Sequence, residues 1–412
     1  MSPTNMRPGN SPAPEPEFIP GLELSRRFYT DAVRPLLEEA APGVPHSAAR
    51  MGSGSEVLGY DTPRSADHEW GPRLQVFLHR HDVPRHAARI RHVLAEHLPK
   101  TFLGHPTNFA LTEEDKEESD RDIRVMRATD GPVHHRVEVT GTFTWFTETL
   151  GFDPTQGITT ADWLATPTQL LAEITGGAVF HDGLHTLTPL RRALRWYPHD
   201  VWLYVLAAQW QRVAQEEAFV GRCGEVGDEL GSAVTAARLV RDLMRLCLLM
   251  DRRYPPYGKW LGSSFARTAA APRLTPVLTA ALAATDWHAR EQHLVHAYEI
   301  VAHQHNQLRL TDRVDPATRA YHSRPFQVLR ADRFTKALTA RITDPVLKDL
   351  PPTGAVDQFA DSTDVLTHPA LCRDLVRAVQ HTRQERRTPS PLPSVPAPRQ
   401  HRSSPHRPHA SG

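Results

Sequence analysis

Cysteine is scarce in this sequence, and long hydrophobic runs are missing. The 412 residues include three Cys, which lie far apart at positions 223, 247 and 372. We therefore expect neither a disulfide scaffold nor a Cys-based zinc site. No window approaches eighteen uninterrupted apolar residues, which excludes a membrane-spanning helix. The segment Met1–Pro20 also lacks the apolar core of a secretory signal, so we expect a cytoplasmic protein.

Lysine is almost as scarce, with 5 Lys against 43 Arg, and the formal net charge is only +1. That balance is uneven along the chain, because residues 381–412 carry six Arg and one Glu whereas residues 21–380 have a net charge of −3. A mildly acidic body has no general electrostatic affinity for nucleic acid. Residues 1–20 and 381–412 together hold 13 of the 36 Pro, which predicts disorder at both ends.

The hydrophobic periodicity changes part-way along the chain. Early segments alternate between helical spacing and short β-branched or aromatic runs, which predicts helices at 22–40 and 83–98 and strands at 46–51, 74–78, 133–140 and 143–146. From about residue 161 the spacing is helical, and Asp228 is placed to cap a helix. We therefore predict an α+β protein, with a disordered tail (1–20), an α/β domain (21–155), an all-helical domain (156–380) and a disordered Arg/Pro-rich tail (381–412).

The stretch MGSGSEVLGYDTPRSADHEW, residues 51–70, is the most informative for function. Gly54 and Ser55 follow a predicted strand and precede a predicted helix, a junction at which backbone N–H groups and a hydroxyl can hold a phosphate. Asp67 and Glu69 follow at a spacing that places both carboxylates on one face of an extended segment. Such a pair can share a divalent metal ion.

This arrangement resembles the signature of the polymerase-beta-like nucleotidyltransferase superfamily. The resemblance implies that Gly54 and Ser55 hold the triphosphate of an NTP, most simply ATP, and that Asp67 and Glu69 bind Mg²⁺. The superfamily has a third acidic residue on a later strand. Glu138, within Val137-Glu138-Val139, matches it best by position, with Asp130 as the second choice.

Much more of the chain resembles a group of proteins defined by domain of unknown function 4037. The phrases that match lie between about residue 18 and residue 378, and they are GSGSEVLGYD, DHEWGPR, VFHDG, YPHDVWLYVLAAQW, EEAFVGR, GDELGS, YPPYGKWLG, HNQL, RPFQVL and DQFADSTD. The resemblance implies a nucleotidyltransferase-like α/β domain that transfers a nucleoside monophosphate to an acceptor. It does not supply the acceptor, for which we expect a small molecule by analogy with aminoglycoside adenylylation.

One departure from the superfamily affects the metal site. The acidic pair usually lies within a hydrophobic strand, whereas here Gly71-Pro72 follows Glu69 closely and interrupts a strand. Either the pair lies at the mouth of the strand, or the metal site has been modified.

Lys259, within YPPYGKW, is the candidate that could reach a triphosphate from the helical domain, as basic residues do in related enzymes. The alternative is a packing corner in which the Lys extends to solvent. Arg73 and Arg222 are second-line phosphate ligands, and Glu138 or Asp182 could remove a proton from the acceptor.

Other chemistries are less consistent with the sequence. His-Asp dipeptides at residues 81, 181 and 199 lack the further ligands of a phosphohydrolase, and Arg290 with His296 only faintly resembles an endoribonuclease pair. There is no Walker-type Gly-Lys-Ser/Thr loop and no Gly-x-Ser-x-Gly elbow. The competing hypothesis is a nucleotide-binding or interaction module on the same fold that does not turn the nucleotide over.

Overall fold

The computed structural model describes residues 17–111 and 123–387. The charge pattern of residues 112–124 predicts a loop or a surface helix, but residues 112–122 lie outside these ranges, as do residues 1–16 and 388–412 of the predicted disordered tails. The last described helix, Pro369–Arg387, extends past the predicted boundary at residue 380. Within the described ranges, none of the helices combines the length and apolar character needed to cross a bilayer.

The strands, in chain order, are β1 (His46–Arg50), β2 (Arg73–Leu78), β3 (Thr101–Phe102), β4 (His105–Pro106), β5 (Phe109–Leu111), β6 (Arg124–Met126), β7 (Arg136–Gly141), β8 (Ala178–Asp182), β9 (Arg319–Ala320) and β10 (Gln327–Val328). Four of them form a mixed sheet in the order β7-β2-β1-β8. β1 is antiparallel to both β2 and β8, whereas β2 and β7 are parallel. The end of β1 therefore lies beside the beginnings of β2 and β7.

The helices cover most of the remaining described chain. Their bounds are Gly21–Arg27, Arg34–Ala40, Ser55–Leu58, Val83–His97, Thr142–Leu150, Thr160–Ala165, Thr168–Thr175, Leu187–Ala193, His199–Glu216, Phe219–Glu225, Glu229–Met250, Gly258–Phe265, Ala271–Ala283, Trp287–Gln307, Asp332–Arg341, Pro345–Asp349, Val356–Phe359, Thr363–Leu366 and Pro369–Arg387. A π-helix at Phe28–Val33 joins the first two, and short 3₁₀ turns lie at Pro63–Asp67 and Pro154–Gln156.

Two cores cover the two faces of the sheet. On one face Ala48, Val76 and Val139 pack with the N-terminal helices around Phe28 and Leu94. On the other face, side chains that include Ala49, Met51 and Phe77 join the large core of the helical half. Burial on both faces removes nearly all of β2 from water, and all six of its residues are buried. The sheet is thus fixed between the two helical layers.

The α+β class is confirmed, with a small mixed sheet near the N-terminus and a mainly helical remainder. The helical half also contributes β8 to the sheet and holds the short pair β9 and β10, so a boundary near residue 155 does not separate strands from helices. The strand predicted at 143–146 is wrong, since these residues form part of the helix Thr142–Leu150. Asp228 caps its helix as predicted, accepting a hydrogen bond from Gly231 N at 2.8 Å.

Candidate functional site

The turn Gly52–Ser55 lies between β1 and the helix Ser55–Leu58 and is called the glycine turn below. Its shape requires glycine at position 54. Gly54 has φ of +144°, and a Cβ built there would lie 2.5 to 2.6 Å from side-chain atoms of Glu56, Arg50 and Arg73. No side chain fits in that space without moving the charged groups below it. Ser55 starts the helix, as predicted, but this helix has only four residues. Its dipole is therefore small, and most of the charge near the turn comes from side chains.

Two buried guanidinium groups lie under the turn and share one carboxylate. Glu56 Oε1 accepts hydrogen bonds from Arg50 Nε at 2.9 Å and from Arg73 Nη2 at 2.8 Å. The side chains of Arg50, Glu56 and Arg73 are 4%, 2% and 8% exposed. Both arginines also donate to the carbonyl of Ser53. Burial raises the pKa of Glu56, but the two guanidinium groups lower it more, so the pKa lies below its ordinary value.

Glu69 lies before β2 and is held by arginines. Its backbone is left-handed, with φ of +47°. Its carboxylate forms ion pairs with Arg136 and with Arg73, the latter at 3.5 Å, and accepts the backbone N–H of Arg124 at 2.9 Å. The acidic pair therefore lies at the mouth of the strand, one of the two arrangements that the Gly71-Pro72 interruption allowed.

Asp67 ends the 3₁₀ turn Pro63–Asp67, and its side chain is 59% exposed. Its carboxylate lies 2.7 Å from Nδ1 of His68. Asp61, in the same loop, has a structural role, because it accepts hydrogen bonds from Gly21 N and from Trp70 Nε1.

Glu138 lies on β7 directly opposite Gln75 of β2, with its backbone in register. Side-chain hydrogen bonds from Gln75 and Trp145 favour its ionised form, but desolvation outweighs them and raises its pKa. Gln75 in turn binds both the N–H and the carbonyl of Met51, each at 3.1 Å. Glu138 is therefore connected through Gln75 to the start of the glycine turn.

The three predicted metal ligands are thus engaged separately. Among residues 17–111 and 123–387, no three His, Cys, Asp or Glu side chains are grouped so that they could hold a metal ion. Both oxygens of Glu69 already bind positive or N–H groups, so the donor set as arranged does not fit Mg²⁺. Magnesium binding by Asp67, Glu69 and Glu138 stays a prediction.

Lys259 lies next to an aromatic contact between the helical domain and the segment that follows the turn. It is exposed in the first turn of the helix Gly258–Phe265, with Nζ 5.0 Å from the centroid of Trp260. Trp260 stacks on Tyr60 at 5.2 Å, and the N–H of Tyr60 donates to the carbonyl of Ser55 at 2.9 Å. The helical half is therefore docked against the segment that follows the glycine turn, with Lys259 beside the contact.

Sequence reasoning missed two residues of the helix Thr168–Thr175, Gln169 and Glu173. The carbonyl of Glu173 accepts the N–H of Gly52 at 3.1 Å, and its carboxylate accepts Gln169 Nε2 at 2.6 Å. Gln169 also accepts the N–H of Tyr257 at 3.0 Å. This pair joins the glycine turn to the YPPYGKW segment, and no motif in TQLLAEIT gave a signal for it. Arg50 and Arg136 were missed too, although an Arg directly at the end of a buried strand is itself unusual.

The secondary candidates have structural partners. Asp182 accepts hydrogen bonds from Ser47 and from N–H groups at the start of the helix Leu187–Ala193, which occupies its carboxylate. Arg290 is buried against Glu229 and Ser232. Arg222 lies 5.8 Å from the ring centroid of Phe219. Two surface cavities, of about 500 and 370 Å³, are lined by other residues than those of the glycine turn.

Part of the chain is similar to a recognised group of proteins. Residues 163–261 match the family model Domain of unknown function (DUF4037). The predicted resemblance is confirmed over this range, which includes Glu173 and Lys259 but neither the glycine turn nor the arginines below it. A search of curated proteins found no match. The chain is also similar to the crystal structure of a nucleotidyltransferase-like protein from Exiguobacterium sibiricum 255-15, at 12% identity and a TM-score of 0.29, with 78% of this chain and 89% of that chain covered.

Proposed function

We propose that this protein binds a nucleoside triphosphate, most simply ATP, at the Gly52–Ser55 turn and transfers the nucleoside monophosphate to a small-molecule acceptor. The observation that carries the proposal is the turn itself. Gly54 lies over the guanidinium groups of Arg50 and Arg73, just after β1. The parallel pairing of β2 with β7 places Glu138 on the same face of the sheet as Arg73. Positive charge beneath a turn of this kind suits a polyphosphate.

The proposed chemistry is an in-line displacement at the α-phosphate. An acceptor hydroxyl attacks phosphorus, a new P–O bond forms, and pyrophosphate leaves with the electrons of the broken bond. Glu138 is the carboxylate proposed to take the hydroxyl proton, because desolvation raises its pKa and so makes it a stronger base than an ordinary carboxylate. Lys259 is proposed to neutralise charge on the leaving pyrophosphate. The Mg²⁺ that the resemblance implies stays a prediction, and no step is assigned to it.

A second function, nucleotide binding without turnover, is favoured by one observation. Glu69, the second member of the acidic pair, is engaged by Arg136, Arg73 and the N–H of Arg124. An enzyme of this kind needs its acidic residues free to act on the nucleotide, whereas a binding module has no such requirement.

The two functions are separated by measuring binding and pyrophosphate release on the same samples. The full chain is tested for thermal stabilisation by ATP, GTP, CTP and UTP, with Mg²⁺ and with EDTA, and then for pyrophosphate release in the presence of a metabolite extract. Removal of a general base typically costs 10²- to 10⁴-fold in rate. Glu138→Gln is therefore expected to lower release at least 100-fold while changing nucleotide binding less than about threefold.

Glu96→Gln is the matched control, because Glu96 is exposed on the helix Val83–His97. It is expected to leave both measurements unchanged. Binding without release by the wild type selects the second function. An absence of stabilisation by every nucleotide rejects both.

A further inference from the structure

Arginines from three strands meet at one edge of the sheet. β1 ends at Arg50, β2 begins at Arg73 and β7 begins at Arg136. Because β1 is antiparallel to β2, and β2 is parallel to β7, these positions lie side by side, with Arg73 paired directly to Arg136. Arg124, at the start of β6, adds a fourth guanidinium close enough to act electrostatically on Arg136. This set of four residues is called the arginine cluster below.

Among the described residues, the carboxylates within the arginine cluster do not balance its charge. Glu56 lies between Arg50 and Arg73, and Glu69 lies between Arg73 and Arg136. A third carboxylate, that of Glu138, lies two residues after Arg136 on β7. It accepts side-chain hydrogen bonds from Gln75 and Trp145.

Burial and a neighbouring guanidinium group both act on the pKa of Arg50. Burial and the nearby Arg73 lower the pKa of Arg50 to about 10, although Glu56 acts in the opposite direction. The guanidinium group of Arg50 would therefore gain from a further negative charge nearby.

Arg136 is the most exposed of the three arginines that lie at the strand ends. Its side chain is 33% exposed and that of Glu69 is 31% exposed, whereas the side chains of Arg50 and Arg73 are nearly buried. Of these three arginines, Arg136 is therefore the one that a ligand arriving from solvent can contact most readily.

A divalent cation and a phosphate would have opposite effects at this position. A cation bound to Glu69 would lie within a few ångströms of two guanidinium groups and would be repelled by both. A phosphate oxygen pair matches the geometry of a guanidinium and is attracted by the whole cluster. Arg124 also holds both the backbone and the side chain of Glu69, since the N–H of Glu69 donates to the carbonyl of Arg124 while the N–H of Arg124 donates to the Glu69 carboxylate.

We propose that the arginine cluster is a phosphate-binding site that works without a divalent cation, in which Arg136 contacts the ligand and Glu69 is an internal counter-charge and not a metal ligand. The inference deepens the proposed function, on which it rests for the identity of the phosphate as that of a nucleotide. It assigns to guanidinium groups the charge neutralisation that the superfamily resemblance assigned to magnesium.

The test is a titration of the full chain with inorganic pyrophosphate and with ATP, by calorimetry, first in EDTA and then with Mg²⁺. The wild type is expected to bind both ligands in EDTA. Arg136→Gln is expected to weaken binding at least tenfold, and Arg136→Lys by an intermediate factor because it keeps the charge but loses the planar fork. Glu69→Gln is expected to bind pyrophosphate in EDTA at least as tightly as the wild type.

Arg89→Gln is the control, because Arg89 is exposed on the helix Val83–His97 away from the cluster. It is expected to bind like the wild type, and thermal melts establish that each variant is folded. Wild-type affinity in Arg136→Gln overturns the inference. Binding that appears only with Mg²⁺ and is lost in Glu69→Gln also overturns it, while leaving the proposed nucleotide function intact. A wild type that binds neither ligand under either condition rejects both.

Discussion

Two buried glutamates, Glu56 at the sheet edge and Glu217 in the helical half, are neutralised by different groups. Glu56, 2% exposed, is bound by the guanidinium groups of Arg50 and Arg73. Glu217, 7% exposed, accepts backbone N–H groups of Leu329, Arg330 and Ala331 at 2.7, 3.1 and 3.0 Å. Each carboxylate accepts three hydrogen bonds, although all three at Glu56 go to Oε1 and leave Oε2 without a partner, so the number of hydrogen bonds alone does not distinguish the two.

The two environments shift the pKa in opposite directions. At Glu56 the full charges of the arginines outweigh burial, and the pKa falls. At Glu217 burial outweighs the partial dipoles of the three amides, and the pKa rises to about 7. The comparison teaches that amide donors are enough to anchor a loop, whereas a carboxylate that must stay charged in the interior needs cationic partners. This is also why the sheet edge is the better place for a charged ligand.

The largest effect is expected from removing the charge of Glu56. Glu56→Gln leaves two buried guanidinium groups without a counter-charge, and loss of one partner from a buried pair costs about 3–5 kcal/mol. Urea unfolding at pH 7.5 measures the change. Glu38→Gln is the matched control, because Glu38 also pairs with an arginine, Arg34, at 2.9 Å but is 62% exposed. The free energy of unfolding of Glu38→Gln is expected to fall by less than about 1 kcal/mol. Similar losses of unfolding free energy in the two variants would contradict the prediction that the buried charge of Glu56 matters more than the exposed charge of Glu38.

The second prediction concerns pH. The folded-state pKa of Glu217 is raised from 4.5 to about 7, so the folded chain binds more protons than the unfolded chain between these values. The free energy of unfolding that Glu217 contributes is therefore greatest below pH 4.5, and falls by about 3 kcal/mol as the pH rises to 7. Unfolding curves of the wild type and Glu217→Gln across this range isolate the effect, since other groups contribute equally to both. Parallel pH profiles would contradict the raised pKa.

A smaller effect is expected from the glycine turn. Gly54→Ala places a methyl group against Arg50, Arg73 and Glu56 and forces a left-handed residue, which we expect to cost about 2 kcal/mol. Gly43 is the matched control, because its φ is +72° but a Cβ there meets nothing within 4 Å. Gly43→Ala is expected to cost about 1 kcal/mol, the backbone contribution alone. Thermal unfolding compares the two, and equal losses would mean that the charged groups move aside freely.

Local patterns in the sequence predicted the elements that depend on local chemistry. The helical spacing at 22–40 and 83–98, the apolar strand at 74–78 and the cap at Asp228 all describe features that a few neighbouring residues determine. Residues 143–146 were misread as a strand because their Thr, Phe and Trp side chains favour strands in isolation. In the fold Trp145 and Phe146 instead pack into the large core on one side of a helix.

The candidate site was only partly predictable, for a different reason. The glycine turn and the order of the acidic residues are visible in the sequence, but the partners of those acids depend on sheet register. Nothing local to Glu69 indicates that Arg136 will lie beside it, since the two are 67 residues apart and meet only because β2 pairs in parallel with β7. The motif therefore indicated where a candidate site lies, but not which groups surround its acidic residues.

β8 comes from the later, mainly helical part of the chain, and this determines when the sheet can be completed during synthesis. Ser47 of β1 and Asp182 of β8 are hydrogen-bonded across 135 residues of chain. During synthesis, β1 therefore leaves the ribosome long before its second neighbour exists, and one of its edges stays open until then. A fragment that stops near residue 155 would keep that edge permanently, as a template for association with other chains. The four-stranded sheet can therefore be complete only after part of the helical half has been synthesised.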